Sequence, residues 1–406
     1  MDLRTGFNVP KEKDTMRILV IAPHPFYQER GTPIDVLLVL RVLTARENTH
    51  VDLLTYEEGE DVSLPNLTIH RCRKLPGVKD IRPGFSVKKV VSDICLFFKA
   101  RKLVKNHDFD FVHAGEEAVF IAMHLKRKFG VSFAYDLDSS IAQQMVEKMP
   151  SLSAFSRMFN WFESRAIQSS LINFPVCNAL ADLCEKNGSE KTVTLHDISQ
   201  LDHSSADHSD LLRSEIDVAP DDVLFLYIGN LESYQGIDLL LESFQVALKK
   251  ADNLKLAIIG GKEDNIQHYR EMAAALQISE NVFFLGPRPF ENLAAYLSGA
   301  TVTVCPRIRG INTPMKVFPF MHSGKPMLAT DLKTHNQILT SNEAFLAAAN
   351  PEDFGEAMVE IARDKELREK IGRNGKRFIE ENHTFEAHEE RLNDAYDWVE
   401  QQLREM

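Results

Sequence analysis

The sequence predicts an α/β protein made of two doubly wound domains, and three observations support this. Segments that are apolar throughout alternate with segments of helical period, a pattern typical of parallel strands buried on both faces. This alternation stops near residue 200 and restarts at residue 223. The length of 406 residues exceeds one ordinary hydrophobic core and favours two domains of similar size.

The first domain is predicted over residues 17–200, after a lead-in of residues 1–16 that is expected to be disordered. Its strands are expected in seven apolar segments, at residues 17–23, 50–56, 67–72, 109–115, 131–138, 171–176 and 191–197. Helical periodicity is found at residues 36–46, 88–105 and 116–128. Residues 201–222 are rich in Ser, Asp and His without apolar periodicity, so they are predicted to form a linker.

The second domain is predicted over residues 223–384, where the same pattern returns. Its strands are expected at residues 223–230, 254–261, 281–287 and 301–306, and a last one ends at residue 331. Helices are expected between them, at residues 237–251, 265–277 and 290–300. Residues 385–406 are predicted to form one long amphipathic helix after this domain has closed.

Composition excludes several classes of protein. A net charge of −12 argues against nucleic acid as the main partner. No apolar run reaches about 18 residues, and the first residues lack the apolar core of a signal peptide. The five cysteines are scattered without a CxxC pair, which fits a reducing cytoplasm and predicts neither a disulfide framework nor a zinc site.

Residues 71–105 carry a local positive charge that the whole chain does not share. This stretch contains eleven Lys or Arg residues and only two acids, Asp80 and Asp93. It combines a stripe of Leu, Phe and Ile residues with lysines at helical spacing. Two interpretations remain open. The stretch is either a solvated helix face or a surface for anionic lipid.

Open parallel sheets bind ligands beyond the carboxyl ends of their strands, so the residues after each strand are the candidates. Gly31 and Thr32 follow the first strand, in a loop without a GxGxxG fingerprint. A helix start at Gly31 presents amides to a phosphate or a sugar, and the alternative is a plain tight turn.

The second domain offers two further loops. Gly229 and Gly236 bracket a loop that opens a helix, where Asn230 and Gln235 can donate hydrogen bonds to an anion. Arg288 follows the strand at 281–287, where it is placed to stack on a base, although a surface Arg there would be equally ordinary.

The stretch "RIRGINTPMKVFPFMHSGKPMLATD" (307–331) is the strongest candidate. Pro314 is predicted as the first residue of a helix with Asn312 or Thr313 as its cap, which puts Lys316 in the first turn. A cation there opposes the helix dipole, so the pattern predicts a bound anion, against the alternative of a structural loop. We assign to this diphosphate site Lys316, Arg309 and the backbone of Gly310, Ile311, Asn312, Thr313, Pro314 and Met315.

Carboxylates follow two strands of the first domain. Asp136 and Asp138 either form a paired site or cap the next helix, with Ser139 the expected cap and Asp138 the candidate for a sugar. Glu116 and Glu117 are candidates for an acceptor hydroxyl, although carboxylates also favour any helix start. His196, His322 and His335 lack metal-ligand spacing and are expected to be structural or solvent-facing, so no metal site is predicted.

These motifs together resemble the GT-B glycosyltransferases of family 4 (glycosyl transferases group 1). The resemblance rests on "GNLESYQGIDLLLESF", "NVFFLG" and "TPMKVFPFMHSGKPMLATD" in this order, and it extends from about Met16 to the final helix. It implies two Rossmann-like domains facing each other across a cleft, with the donor on the second, the acceptor on the first and the last helix returning to the first.

The resemblance also implies an activity. A sugar would move, with retention, from a nucleotide diphosphate sugar (UDP- rather than GDP-) to a glycan or lipid-linked acceptor, without metal or cofactor. Protein cations and helix dipoles would stabilise the leaving diphosphate. Asp138 and Lys316 are assigned the catalytic roles, and a cytoplasmic enzyme at or near the inner membrane face, making a surface polysaccharide or glycolipid, is expected.

Several residues depart from the family pattern. The two carboxylates of Glu-x7-Glu are replaced by Ile311 and Pro319, the Arg and Lys of the phosphate loop by Asn230 and Gln235, and the first-domain His by Asp138. A catalytically silent GT-B subunit and a GT-B sugar-nucleotide epimerase therefore remain alternatives, whereas a phosphorylase would need a far longer chain.

Overall fold

The computed structural model describes residues 15–28, 31–74, 77, 81, 86–141, 156–201 and 211–406. The predicted lead-in lies outside these residues except for its last two positions, and so does the part of the predicted linker at 202–210. The described residues contain two six-stranded sheets, and every strand pair in both sheets is parallel.

The first sheet has the strand order β3-β2-β1-β4-β5-β6. Its strands are β1 Met16–Ile21, β2 Thr49–Thr55, β3 Leu67–Arg71, β4 Phe111–Gly115, β5 Ser132–Leu137 and β6 Ile172–Pro175. The helices between and after them are α1 Gly31–Ala45, α2 Val87–Asn106, α3 Val119–Phe129, α4 Ser156–Ser169 and α5 Asn178–Lys186. Because the central strands are covered on both faces, β4 is buried at every position.

The second sheet has the order β12-β11-β10-β7-β8-β9, which repeats the doubly wound order of the first. Its strands are β7 Val223–Ile228, β8 Leu254–Ile259, β9 Val282–Gly286, β10 Val302–Cys305, β11 Met327–Thr330 and β12 Phe345–Ala347. Its helices are α6 Leu211–Glu215, α7 Ile237–Leu248, α8 Glu263–Ala275, α9 Leu293–Gly299, α10 Val317–His322, α11 Lys333–Asn336, α12 Pro351–Arg363, α13 Lys365–Asn382 and α14 Phe385–Glu405.

Local sequence explains where several helices begin. The Ser86 hydroxyl accepts a hydrogen bond from the amide of Lys89 at the start of α2. Asn350 caps α12, where Pro351 takes the first helical position, and the Asp364 carboxylate caps α13. These are the residue types that satisfy the free amides of a first helical turn.

The predicted strand at residues 191–197 is wrong. The structure forms only an isolated bridge between Asn173 and Thr192 there. The Asn173 side chain donates to Ser189 Oγ at 2.7 Å, and its backbone amide donates to the Lys191 carbonyl. The segment therefore pairs with the edge of the sheet at one residue and does not form a strand. Its apolar pattern is too short to distinguish these two outcomes.

The chain divides into two compact units that are not continuous in sequence. The first unit holds Met1–Pro175, Leu183–Val193 and Arg391–Met406, and the second holds Val176–Asp182 and Thr194–Glu390. Val176–Asp182 belongs to the second unit because the Ala179 amide donates to Gln337 Oε1 at 2.9 Å and Asn178 donates to the Gln337 carbonyl.

The end of α14 packs within the first unit. Arg46 donates to Asp397 Oδ1 at 2.6 Å and to Glu400 Oε1 at 2.8 Å, and its guanidinium lies 5.9 Å from the centre of the Tyr396 ring. Tyr396 is fully buried, and its hydroxyl lies 2.8 Å from His113 Nδ1. Among the described helices, none is both long and apolar enough to cross a membrane.

Candidate functional site

Two loops meet at the carboxyl ends of the central strands of the second sheet. One follows β7 and leads into α7, and the other follows β10 and leads into α10. The amide of Ile308 donates to the carbonyl of Tyr234 at 3.0 Å, which joins the two loops. This is the edge at which open parallel sheets place their ligands.

Lys316 lies at the centre of this junction. Its Nζ donates to the Tyr227 hydroxyl at 2.9 Å and to Gln235 Oε1 at 3.2 Å. The ammonium also lies 4.1 Å from the centre of the Tyr227 ring, a favourable cation–π distance. No carboxylate in the described part of the chain forms an ion pair with Lys316, so its positive charge is not neutralised within the unit.

Burial lowers the pKa of Lys316 to about 8, against the effect of the Cys305 thiol and with the help of the nearby Arg307 charge. A lysine in this state gains from a ligand that brings negative charge, because an anion would offset the lost hydration. A perturbed lysine at the edge of a parallel sheet is therefore a candidate for a functional group.

Gln235 explains how the chain holds this lysine. The side chain is buried, and its carbonyl oxygen accepts from Lys316. A lysine at position 235 could not accept a hydrogen bond and would repel Lys316 at this distance. Gln235 can therefore lie next to Lys316, whereas the lysine that the family pattern has at position 235 could not.

Gly229 makes room for the lysine. A Cβ added to Gly229 would lie 2.3 Å from Lys316 Nζ, and the residue has a φ of +153°. At the other end of the loop, Gly236 has a φ of +75°, and a Cβ there would lie 2.0 Å from the Pro306 carbonyl oxygen. Both positions need glycine for a close backbone approach, which agrees with the prediction that these two residues bracket a site loop.

Arg307 braces the second loop from inside. Its Nε donates to the Arg309 carbonyl at 2.7 Å, and its Nη2 donates to Asn312 Oδ1 at 3.0 Å. The guanidinium lies 5.3 Å from the centre of the Tyr234 ring. The Arg309 side chain, by contrast, is exposed. Arg307 therefore holds the loop in shape, and Arg309 is the cation that solvent can reach.

The loop turns its carbonyls toward the protein. The Ile311 carbonyl accepts from Gln337 Nε2 at 2.7 Å, and the Asn312 carbonyl accepts from Thr334 Oγ1 at 2.8 Å. The amides of Gly310, Ile311, Asn312 and Met315 have no recorded protein acceptor within the described ranges. These four residues are half-buried, and their amides can donate to an anion bound at this edge of the sheet.

The predicted helix start at Pro314 is wrong. Helix α10 begins at Val317, and Lys316 takes the cap position without a side-chain hydrogen bond to the helix. Asn312 Oδ1 accepts from Arg307 and Thr313 Oγ1 accepts from Gln337, so neither side chain caps the helix as predicted. The Pro314 carbonyl accepts from the Val317 amide, and the turn that it closes precedes the helix.

Comparison with known proteins agrees with this architecture. Residues 209–378 match the family described as glycosyl transferases group 1. The chain is 25% identical over 372 residues to a phosphatidyl-myo-inositol mannosyltransferase of Mycobacterium leprae, and the alignment covers 87% of this chain and 90% of that protein. The family match covers most of the second unit, and the similarity to the mannosyltransferase extends over both units.

Solved structures show the fold of both units. Sucrose-phosphate synthase from Thermosynechococcus elongatus matches with a TM-score of 0.75 at 16% identity, over 95% of this chain and 99% of that one. HepE from Anabaena, solved with UDP and glucose, matches with a TM-score of 0.71 at 12% identity, over 94% and 99% of the two chains. The predicted GT-B fold is confirmed.

Ile311 and Pro319, which replace the two carboxylates of the family pattern, both have a place in the local structure. Ile311 is half-buried and contributes its carbonyl to the brace from Gln337. Pro319 is the third residue of α10, where a missing amide costs little because the first-turn amides of a helix have no partner within the helix. No carboxylate is available at either position for the hydroxyls of a sugar or a ribose.

Two further donor-loop residues are held within the second unit. Asn230 Nδ2 donates to the Tyr234 hydroxyl at 3.2 Å, and its Oδ1 accepts from the Glu232 amide. Arg288 donates to Glu215 Oε2 at 2.6 Å and to the Tyr296 hydroxyl at 3.0 Å. Arg288 therefore forms an ion pair with the last residue of α6, and none of its contacts among the described residues reaches the loop of Lys316.

In the first unit, Asp136 contacts a buried histidine. Asp136 Oδ2 lies 3.1 Å from Nε2 of the buried His113, whose ring stacks on Phe174 with the centres 5.5 Å apart. Asp136 therefore contacts His113, and a paired site with Asp138 stays a prediction. Asp138 follows β5 and is half-buried.

The turn after β5 is held by a buried carboxylate, and the predicted cap by Ser139 stays a prediction. Glu163 Oε2 accepts from the Ser140 hydroxyl at 2.8 Å, and Glu163 Oε1 accepts from the Ile141 amide at 2.7 Å. Glu163 is buried in α4 and satisfies the amide from a distant part of the chain. Most of the predicted helix, at residues 142–149, lies outside the described residues.

Glu116 and Glu117 form a short 3-10 turn directly after β4. Glu116 has a left-handed φ of +45°, and such strain is common at functional sites. Glu117 forms an ion pair with Lys89 of α2. Gly31 is the first residue of α1, with Thr32 next to it, and residues 29–30 just before are outside the described part of the chain.

Two residues of the site, Tyr227 and Tyr234, were not predicted from the sequence. Tyr227 belongs to a wholly apolar strand, so the sequence predicts a core residue. In the structure its hydroxyl accepts from Lys316 and donates to the Asn230 carbonyl at 2.6 Å. His335 was expected to be either structural or solvent-facing. It is buried, with Nδ1 2.9 Å from the Thr330 carbonyl oxygen, so it is structural. Among the described residues, no cluster of three or more His, Cys, Asp and Glu could hold a metal ion.

Proposed function

We propose that this protein is a glycosyltransferase, which moves a sugar, with retention, from a nucleotide diphosphate sugar to a glycan or lipid-linked acceptor. The observation that carries the proposal is the un-neutralised Lys316, held by Tyr227 and Gln235 beside uncommitted loop amides. An ammonium and several amides together suit a diphosphate, which offers many acceptor oxygens and negative charge.

A UDP-linked donor is proposed rather than a GDP-linked one. HepE, which shares the fold, was solved with UDP and with UDP-glucose. The mannosyltransferase relative has a lipid headgroup in its name, phosphatidyl-myo-inositol, and this supports an acceptor that carries a lipid. Synthesis of a surface polysaccharide or a glycolipid would use both substrates.

Charge stabilisation is the chemistry that Lys316 would supply. When the bond between the anomeric carbon and the diphosphate breaks, negative charge grows on the leaving oxygen. The Lys316 ammonium and the amides of Gly310, Ile311, Asn312 and Met315 would stabilise this charge, and no metal ion is part of the proposal. Retention would follow a front-face route, in which the leaving phosphate takes the proton of the acceptor hydroxyl.

The test is a thermal-shift screen of the purified chain against UDP, GDP, ADP and their sugars, with EDTA present. A ligand at about 100 times its Kd should raise the stability by roughly 2.7 kcal/mol, which moves the midpoint by a few degrees. We expect UDP and one UDP-sugar to give the largest shift, and the same UDP-sugar to release UDP when an acceptor extract is added.

A second outcome would favour the catalytically silent subunit. Ile311 and Pro319 remove both carboxylates of the family pattern, so a loss of donor binding is a specific alternative. The absence of a shift with every nucleotide would support it. Release of free sugar and UDP from UDP-HexNAc, without an acceptor, would support the epimerase instead.

A further inference from the structure

Helix α2 presents an apolar row to solvent. Val87, Ile94 and Phe98 have exposed fractions of 78%, 52% and 61%. Their spacings of seven and four residues place them on one side of the helix. A helix of a globular protein normally turns such a row toward the core, and a contiguous exposed one marks an interaction site.

Helix α4 adds a second exposed apolar group. Met158, Trp161 and Phe162 have exposed fractions of 46%, 58% and 43%. The Trp161 and Phe162 ring centres are 4.9 Å apart, and the Phe162 ring lies 6.4 Å from Phe120 of α3. The exposed rings of α4 are therefore continuous with a ring on α3.

The row on α2 also reaches α3. The Phe98 ring centre lies 5.4 Å from that of Phe97, which in turn lies 4.9 Å from the ring of His124. His124 is one helical turn after Phe120 and therefore on the same side of α3. We call the surface formed by α2, α3 and α4 the three-helix face; an apolar band crosses all three of its helices.

Charge on the three-helix face is opposite to that of the chain. The three helices hold eleven Lys and Arg residues and two acids, in a chain whose net charge is −12. Both acids turn inward, because Asp93 accepts from the Tyr56 hydroxyl and Glu163 is 3% exposed. The cations are Lys88, Lys89, Lys99, Arg101, Lys102, Lys105, Lys126, Arg127, Lys128, Arg157 and Arg165.

We propose that the three-helix face binds an anionic lipid surface. The apolar band would enter the boundary between headgroups and acyl chains, while the cations contact lipid phosphates. A second copy of this chain fits poorly, because a two-fold contact would bring the same cations against each other. Lysines are also depleted at the centre of protein interfaces, so a membrane is the better occupant.

The cations divide into committed and exposed ones. Lys89 pairs with Glu117, and Lys99 donates to the Arg71 carbonyl, so neither is a good choice for the test. Lys102 and Lys105 are exposed and follow Phe98 at spacings of four and seven residues. Lys128 is exposed and follows His124 at a spacing of four.

The experiment is co-sedimentation with vesicles of phosphatidylcholine alone and of phosphatidylcholine mixed with phosphatidylglycerol. We expect the wild-type chain to bind the mixed vesicles at least about tenfold more tightly, and added salt to release it in part. The variant Lys102→Ser/Lys105→Ser/Lys128→Ser should lose at least about tenfold in affinity. The control Lys249→Ser/Lys365→Ser/Lys370→Ser changes the net charge equally on the second unit and should bind like the wild type.

The apolar row is tested by Ile94→Ser/Phe98→Ser/Trp161→Ser. These side chains are more than half exposed, so the variant should unfold at the wild-type temperature while losing the binding that resists salt. Equal binding to both vesicle types, no binding to either, or equal loss in the control would overturn the proposal. If the wild type were a dimer and the apolar variant a monomer, the face would be assigned to a second copy of the chain instead.

Membrane binding and donor binding can fail separately. The vesicle experiment contains no nucleotide, and Lys316 lies in the second unit, whereas the three-helix face lies in the first. Lys316→Ala should therefore bind mixed vesicles like the wild type, whatever its effect on UDP.

Discussion

At the scale of single residues, the site depends on one lysine whose partners are neutral. Tyr227 and Gln235 accept its hydrogen bonds, and Gly229 leaves space for its ammonium. A neutral environment keeps the lysine available for an anion, whereas a carboxylate partner would already have used its charge. Two predictions follow from this arrangement.

Nucleotide binding should weaken as the pH rises through about 8, the pKa of Lys316 in the free protein. Binding an anion raises the pKa of the lysine, so full affinity is present below that pKa and is lost above it, by up to about tenfold per pH unit. The diphosphate keeps its charge over this range. Calorimetric titration of UDP between about pH 7 and pH 9.5 measures this change in Kd. The variant Lys316→Met should bind UDP weakly, with a Kd that does not change over the same pH range.

Gln235→Glu should weaken UDP binding by about tenfold although it preserves the size of the side chain. The new carboxylate would form an ion pair with Lys316 and repel the diphosphate. Gln235→Met, which removes the acceptor without adding charge, is the control and should lose less. Equal affinity in the Glu variant and the wild type would show that the ammonium does not face the ligand.

At the scale of elements, the sequence predicted the strands that carry the site because each is a wholly apolar run with a turn signal after it. Strand β7 and the loop between Gly229 and Gly236 follow from that pattern. The start of α10 did not, because Asn312 and Thr313 have the residue types of caps but bond to Arg307 and Gln337 instead. Those partners are distant in sequence or belong to a loop, and no local pattern shows them.

Partners from distant elements also decide how α2 is held. Asp93 accepts a hydrogen bond from Tyr56, which follows β2, and Lys89 pairs with Glu117, which follows β4. Burial, with the Glu117 charge, raises the pKa of Asp93 to about 7 although the Tyr56 hydrogen bond and Lys89 oppose the shift. Sequence shows the four residues, but the cluster that they form depends on the fold.

Asp93→Asn should therefore change the pH dependence of stability. In the wild type the unfolded Asp93 ionises near pH 4 and the folded one near pH 7, so this residue favours folding at low pH and that contribution is lost as the pH rises toward 7. The variant should gain on the wild type by more than about 1 kcal/mol between pH 4.5 and pH 8. Denaturant unfolding at the two pH values measures this, and a constant difference would contradict it.

At the scale of the whole molecule, the chain repeats one topology twice and gives the two halves different chemistry. The sequence predicted both sheets from their alternation, and the described structure has the same strand order in each. The unit boundaries could not be predicted to the residue, since Val176–Asp182 and Arg391–Met406 join units that are remote in sequence. Such returns depend on tertiary contacts, for example those of Gln337 and Arg46.

Asp138 belongs to the first unit, whereas every side chain that holds Lys316 belongs to the second. If Asp138 contacts the transferred sugar, Asp138→Ala should lower turnover by about 10- to 100-fold, the value of one charge-assisted hydrogen bond, with UDP affinity unchanged. Asp138→Asn should recover part of the loss. Steady-state rates together with UDP titrations separate the two effects, and unaltered turnover would leave Asp138 with a structural role.

The donor site itself is tested most directly by calorimetric titration of UDP into Lys316→Ala, Gln235→Ala and the wild type at pH 7. Lys316 has no ion pair and lies near four uncommitted amides of the described residues, so Lys316→Ala should bind about 10- to 100-fold more weakly, and far more weakly than Gln235→Ala. Its melting temperature is measured alongside, because the change removes a buried charge but also leaves Gln235 without its hydrogen-bond donor. Wild-type affinity of Lys316→Ala for UDP, GDP and ADP would contradict a donor site at this edge of the second sheet.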